Sequence, residues 1–322
     1  MLLKRSAGFF LTTGLVLAAC APGTGVGEKA GKDSSGKTAV TVASLKVSAT
    51  VPVEIAQRKG FFADEGLDVT LKYVEAAAAV PSVVGGEADF TILNAPAVLA
   101  ARSNGVPVVG VSVLSTANED PADSPLRLLA TTLKDPEDLE GKKVAVDTLF
   151  QLPDLTLRTA LRSKGVDPSE VEFVEIPFPQ MKEALTSGQV VAADMTEPFA
   201  TGAEQDKRLH TLISNAEGQT TDWPHTVSLG SEAFVKGNPE VVAAFQRAMD
   251  AAVAYTREHP DEARAIVPTY TAVPAELAKA INMPTWKSTV TQKGWQNWAD
   301  VLREEGAVKG DVDVSGAYVQ QK

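Results

Sequence analysis

Alternating apolar and polar positions open the folded part of the chain, with "AVTVASLKV" (39 to 47) and then Leu67, Val69, Leu71 and Tyr73 each reading as a half-buried strand. Between these two strands a helix is expected over Pro52 to Lys59, with proline in its first turn and Gly60 closing it. The same sentence recurs in the second half. Strand "KKVAV" precedes a helix over Pro153 to Lys164 closed by Gly165, and "VEFVEIP" follows. The echo sharpens between "VVGGEADFTILNAPAVLAA" (83 to 101) and "LTSGQVVAADMTEPFATGA" (185 to 203). At an offset of 102, Gly86 falls on Gly188 and Pro96 on Pro198. Elsewhere the offset drifts between 101 and 105, so the inference is similar architecture and not a clean duplication.

Strands alternating with helices of about ten residues call for β-α-β units and parallel sheets covered on both faces. Two copies give two lobes. In such sheets ligands sit beyond the strand carboxyl ends, where helices begin. Four helix starts are expected there: Thr50 to Pro52, Asn94 to Pro96, Leu152 to Asp154 and Thr196 to Pro198. "TTDWPHTVSL" is expected to cross back to the first lobe. After it, Asn238 and Pro239 start a helix whose Val242, Phe245, Met249 and Val253 form one apolar stripe. Another helix begins near Pro260, and a last one carries Trp295 and Trp298. Having no partners in the echo, these helices are assigned to lobe I. The expected division is 39–117 plus 226–322 for lobe I and 118–225 for lobe II.

The first 19 residues differ in kind. Lys4 and Arg5 precede an apolar run from Gly8 to Ala19, too short for a bilayer span of roughly 20 apolar residues and built like an export signal. "LAAC" resembles a bacterial lipobox, and its Cys20 is the chain's one cysteine, which rules out an internal disulfide and suits lipidation. Residues 20–38 have the Gly, Ser, Thr, Ala and Lys content of a tether. Within it "GKDSSGKT" (31 to 38) has P-loop spelling, but a strand pattern follows and not the helix such a loop requires. Without residues 1–19 the chain carries 28 basic and 41 acidic side chains, a balance against nucleic acid and against electrostatic binding to anionic lipid.

The stretches "IAQRKGFFADEGLDV", "VVGGEADFTILNAPAVLAA", "DLEGKKVAVDTLFQLPDLTLRTALRSKGV", "ALTSGQVVAADMTEPF" and "FVKGNPEVVAAFQRAMDAA" resemble substrate-binding lipoproteins of ABC importers. The family is the nitrate/sulfonate/taurine type, which includes binders of thiamine pyrimidine precursors, and the resemblance spans nearly all of residues 40 to 260. It implies an α/β, two-lobed periplasmic-binding-protein fold (type II), each lobe a mostly parallel sheet flanked by helices, with the ligand cleft between them. It also implies a monomer held extracytoplasmically by lipid on Cys20 at the outer face of a bacterial cytoplasmic membrane. Its partners would be a small solute, a permease and an ATPase, with no cofactor and no metal.

By the same resemblance, ligand contacts fall on Ser48, Thr50, Val51 and Pro52, on Asn94, Ala95 and Pro96, on Thr148, Leu149, Phe150 and Gln151, and on Thr196 and Glu197. Asn94 serves equally as helix cap or ligand donor. Helix starts suit oxyanions. Yet Asp147, Asp154, Asp194 and Glu197 crowd the lobe II loops and no Arg or Lys stands at the four tips, which favours a solute with an amine or ring N–H. Glu197 and Asp154 read equally as acids stabilising helix starts. Phe150, Phe199 and Trp223 are candidates for sandwiching a flat solute or for packing, and His225 for a donor or a structural residue. No G-x-S-x-G occurs, and His210, His225 and His259 lack metal spacing, so hydrolase and metal chemistry lack parts. The rivals are a pyrimidine-synthase-like enzyme on this fold and a ligand-sensing surface receptor.

Overall fold

The computed structural model describes residues 36–218 and 222–320. The expected signal peptide, Cys20 and most of the tether lie outside the described residues. Thr38, the last residue of the P-loop lookalike, opens a strand.

In the first half, β1 (Thr38–Ser44) leads to α1 (Val51–Lys59) and a one-turn α2 (Phe61–Asp64), then β2 (Leu67–Tyr73). There follow α3 (Ala76–Val84), β3 (Phe90–Asn94), α4 (Ala95–Ser103), β4 (Val108–Val113) and a two-residue β5 (Ser115–Thr116). The second half runs β6 (Leu126–Ala130), β7 (Lys143–Val146), α5 (Leu152–Ser163), β8 (Glu172–Glu175), α6 (Phe178–Thr186), β9 (Ala192–Thr196), α7 (Phe199–Ala203) and β10 (His210–Ser214). The chain then forms β11 (Thr226–Ser231), α8 (Glu232–Gly237), α9 (Pro239–Glu258), α10 (Pro260–Ile266), β12 (Thr285–Trp286) and α11 (Gln292–Glu304).

Two five-stranded sheets result, ordered β2-β1-β3-β11-β4 and β8-β7-β9-β6-β10. Position by position they are the same sheet, with β9 equal to β3 displaced by the 102 residues of the sequence echo. The echo has a backbone cause. Gly86 and Gly188 sit at φ 75° and 80° in the turns leading to β3 and β9, a left-handed conformation that glycine adopts without penalty. Pro96 and Pro198 diverge: Pro96 lies in the first turn of α4, whereas Pro198 follows Glu197 through a cis bond and stands just before α7.

Neither sheet is wholly parallel. β11 runs antiparallel to both β3 and β4, and β6 antiparallel to both β9 and β10. Each enters its sheet straight from the other sheet, without the covering helix that a parallel connection requires. The two passages between sheets therefore begin and end beside these strands.

Both faces of each sheet are packed. The stripe of α9 is buried as expected, with Phe245 stacked between Phe62 at 5.6 Å and Phe90 at 4.1 Å. Trp298 of α11 is fully buried; its indole N–H donates to the Pro224 carbonyl at 2.7 Å, and Trp223 meets it edge-on at 4.8 Å. The helix thus fastens the returning passage. It also touches the second lobe, since Glu305, just past its end, pairs with Arg158 at 3.2 Å and with Arg162, both on α5.

Trp298→Ala is expected to cost about 3–5 kcal/mol, and Trp298→Phe clearly less, because the ring retains most of the volume and loses mainly one buried hydrogen bond. Urea denaturation of the two variants beside the parent measures the order; equal costs would refute it.

Candidate functional site

A cleft of about 440 Å³ lies between the sheets. Its walls come from six strand ends, three in each lobe. From the first lobe, β1 hands over to Leu45, Lys46, Val47, Ala49 and Thr50, β2 to Tyr73 through Ala76, and β3 supplies Ile92, Leu93 and Asn94. From the second, β7 leads to Asp147 and then Gln151 to Pro153, β8 to Phe178 and Pro179, and β9 ends at Thr196 ahead of Phe199. Leu126, Thr226 and Ala272 complete the lining.

Of the residues expected to bind, Thr50, Asn94, Gln151 and Thr196 line this space, as does Phe199. Asn94 fills the cap role, Oδ1 accepting from the Ala97 N–H at 2.9 Å at the start of α4, while its Nδ2 donates across the cleft to Gln151 Oε1 at 3.1 Å.

The others do not line it. Val51, Pro52, Ala95 and Pro96 are buried in the first turns of α1 and α4. Ser48 is buried, its N–H donating to the Glu197 carbonyl at 3.0 Å. The Thr148 hydroxyl donates to Asp147, and the Leu149 N–H to Glu175. Phe150 adopts φ 59°, gives its N–H to Asp154 at 2.7 Å and lays its ring over Arg158. Asp194 is wholly buried, accepting from Asn215 at 2.9 Å, and burial pushes its carboxyl well above the usual range. Trp223 packs on Trp298. His225 is buried near the same ring, and burial lowers its imidazole to a pKa of about 3.

Glu197 is the largest departure from expectation. Its side chain is fully buried, bonded by Arg127 at 2.8 Å, the Thr201 hydroxyl at 2.8 Å and the Thr201 and Asn282 N–H groups at 3.1 Å each. Asp154 is likewise held by Arg158 at 2.7 Å. Two of the four lobe II carboxylates, Glu197 and Asp154, are therefore matched by arginines arriving from β6 and from one turn further along α5, while Asp194 is held by Asn215 and Asp147 by Phe178 and Thr148. An Asp–Arg spacing of four on a helix was the readable signal for the second pair; nothing local announced the first.

Sequence reasoning missed Lys46, Tyr73, Glu75 and Phe178. The missed signal was the echo itself, because the turns after β2 and β8 are a third matching pair of strand ends. Phe178 stacks on Phe199 at 5.6 Å, and Tyr73 stacks on Tyr270 at 6.2 Å while donating to Glu54 at 2.6 Å. Asp147 is held above the ordinary carboxylate range chiefly by burial, with Glu75 and Glu175 acting in the same direction. Among the described residues, no cluster of potential metal ligands occurs and no helix is long and apolar enough to cross a membrane.

Arg127→Met leaves the Glu197 carboxylate buried without its counter-charge and is expected to cost about 3–5 kcal/mol, most of it regained in Arg127→Met/Glu197→Met. Chemical denaturation of the single and double variants checks this. His225 is expected to tilt the acid side of the stability profile. Its folded pKa lies below the unfolded 6.5, so its contribution is complete above pH 6.5 and is lost as pH falls toward 3, at up to about 1.4 kcal/mol per pH unit. Melting curves from pH 7 to pH 4.5 should fall less steeply in His225→Gln; an unchanged slope would count against it.

The family described as NMT1/THI5 like matches residues 48–263. A putative thiamine biosynthesis protein of Haemophilus influenzae is 27% identical over 272 residues, covering 79% of this chain and 82% of that protein. The taurine-binding periplasmic protein of Escherichia coli is 28% identical over 220 residues, 67% of each. In fold, the periplasmic nitrate-binding protein NrtA from Synechocystis PCC 6803 superposes with a TM-score of 0.74 at 16% identity, covering 86% of this chain and 84% of that one. The cleft thus lies in a periplasmic-binding-protein fold, and with two thirds of its length matched the chain belongs to the NMT1/THI5-like family.

Proposed function

We propose that this chain is the extracytoplasmic solute-binding component of an ABC importer, capturing a small organic solute between its lobes and delivering it to a permease. The observation that carries the reading is the cleft of about 440 Å³ built by matching strand ends from both sheets. That volume falls within the roughly 300–1,000 Å³ of organic-ligand pockets. A relative bearing the name of a periplasmic taurine-binding protein supports the class of function and the compartment. The reading is of a binder and not an enzyme, and it rests on lobes that approach around the solute and part to release it.

Cys20, behind its lipobox-like "LAA", is the proposed attachment point for acyl chains, and the residues after it the reach toward the permease. Cys20→Ser expressed in a bacterial host should move the protein from the membrane to the soluble exported fraction; retention in the membrane would overturn the anchor.

For the solute, native mass spectrometry of the purified full chain is followed by a thermal-shift panel of taurine, alkanesulfonates, nitrate, aminopyrimidines and aromatic amines. A true solute at about 100 times its Kd should add about 2.7 kcal/mol of stability. Phe199→Ala should abolish that gain while the unliganded melting temperature changes little. A panel and a mass spectrum both empty of ligands would sink the reading.

A further inference from the structure

The charge of the cleft is decided by what the nearby arginines already hold. Arg127 is spent on Glu197 and Glu204, and Arg158 on Asp154 and Glu305. Neither lines the cleft. The charged side chains that do are Lys46, Glu75 and Asp147. Lys46 is exposed and lies 5.3 Å from the centre of the Tyr73 ring, where solvent screens it.

Asp147 is placed differently. It stands half-buried at the carboxyl end of β7, and its oxygens accept two long bonds, from the Phe178 N–H at 3.3 Å and the Thr148 hydroxyl at 3.2 Å. A carboxylate has about four acceptor positions, so capacity remains for a solute. The same Phe178 stacks its ring on Phe199, the two planes nearly parallel at 17°. An aromatic face and a carboxylate therefore adjoin through one residue. Burial, with Glu75 and Glu175 nearby, holds the Asp147 proton more tightly than usual, and a cation docked there relieves that repulsion.

We propose that Asp147 selects the solute by charge: the cleft takes a flat ring bearing a cationic or strongly N–H-donating nitrogen, seated against Phe178 and Phe199 with the nitrogen on Asp147, and it refuses oxyanions. This inference rests on the solute-binding reading above. It departs from the taurine and nitrate named for two of the similar proteins, both of which carry an oxyanionic group.

The test uses three probes of one shape, benzamidinium, benzamide and benzenesulfonate, titrated calorimetrically into the full chain at pH 7. Benzamidinium should bind about tenfold more tightly than benzamide, and benzenesulfonate should give no heat. Asp147→Asn should erase the tenfold preference and leave benzamide within about twofold. Glu75→Gln, exposed on the opposite lobe, should trim benzamidinium affinity by about two- to threefold, and it decides the matter if Asp147→Asn does not fold. Acidification toward the raised Asp147 pKa should weaken benzamidinium in the parent and not in Asp147→Asn.

Benzenesulfonate binding ahead of benzamidinium, or an unchanged preference in a well-folded Asp147→Asn, overturns the charge assignment and leaves solute capture standing. Failure of every probe here and in the wider panel, with no co-purifying small molecule, defeats solute capture itself.

Discussion

A carboxylate with no exposed surface anchors the contact between the lobes. Glu197 sits where β9 ends, and its oxygens are satisfied by a guanidinium and a threonine of its own lobe and by the Asn282 N–H from the other. Its carbonyl meanwhile accepts from Ser48, at the entrance to α1. A buried charge is tolerable only when paired and hydrogen-bonded, so these donors must stand together whenever the lobes adopt this arrangement. The floor of the cleft inherits its position from that requirement.

What the anchor leaves free is as informative as what it binds. With the arginines withdrawn into ion pairs, the space between the lobes is walled mainly by aliphatic and aromatic side chains, with a few polar groups at fixed places. Phe178, Phe199 and Tyr73 contribute faces; Asn94, Gln151, Thr50 and Thr196 contribute donors and acceptors. Apolar walls with sparse polar groups set orientation by hydrogen bonds and affinity by burial. Two helix starts that looked like anion sites, those of α1 and α4, have their first turns packed in protein.

Much of the fold could be read from the chain because its cues are local. Prolines opening helices, glycines closing them and the 102-residue recurrence all act within a few residues of where they stand. The antiparallel entries of β6 and β11 were not legible, because strand direction depends on which sheet the chain comes from. Thr50, Asn94, Gln151 and Thr196 line the cleft because two of them end β3 and β9 and two cap α1 and α5, positions that face the gap whatever their side chains. Glu197 was not legible as a paired group, because its partner lies 70 residues away and a charge reads the same in a sequence whether paired or not, whereas Asp154 stands in the first turn of α5 as the helix-start reading expected, with its arginine four residues on. His225 and Trp223 were close in sequence to the cleft and yet belong to the packing of α11.

Asn94 holds two appointments at once, closing off the first turn of α4 and reaching over to Gln151. A side chain so engaged has little liberty to change: aspartate would keep the cap but needs the Gln151 amide turned round to donate, and serine is too short to span the gap. Variation in diet among relatives should therefore settle on neighbours such as Tyr73 and Phe178, whose replacement remodels the chamber without loosening a helix.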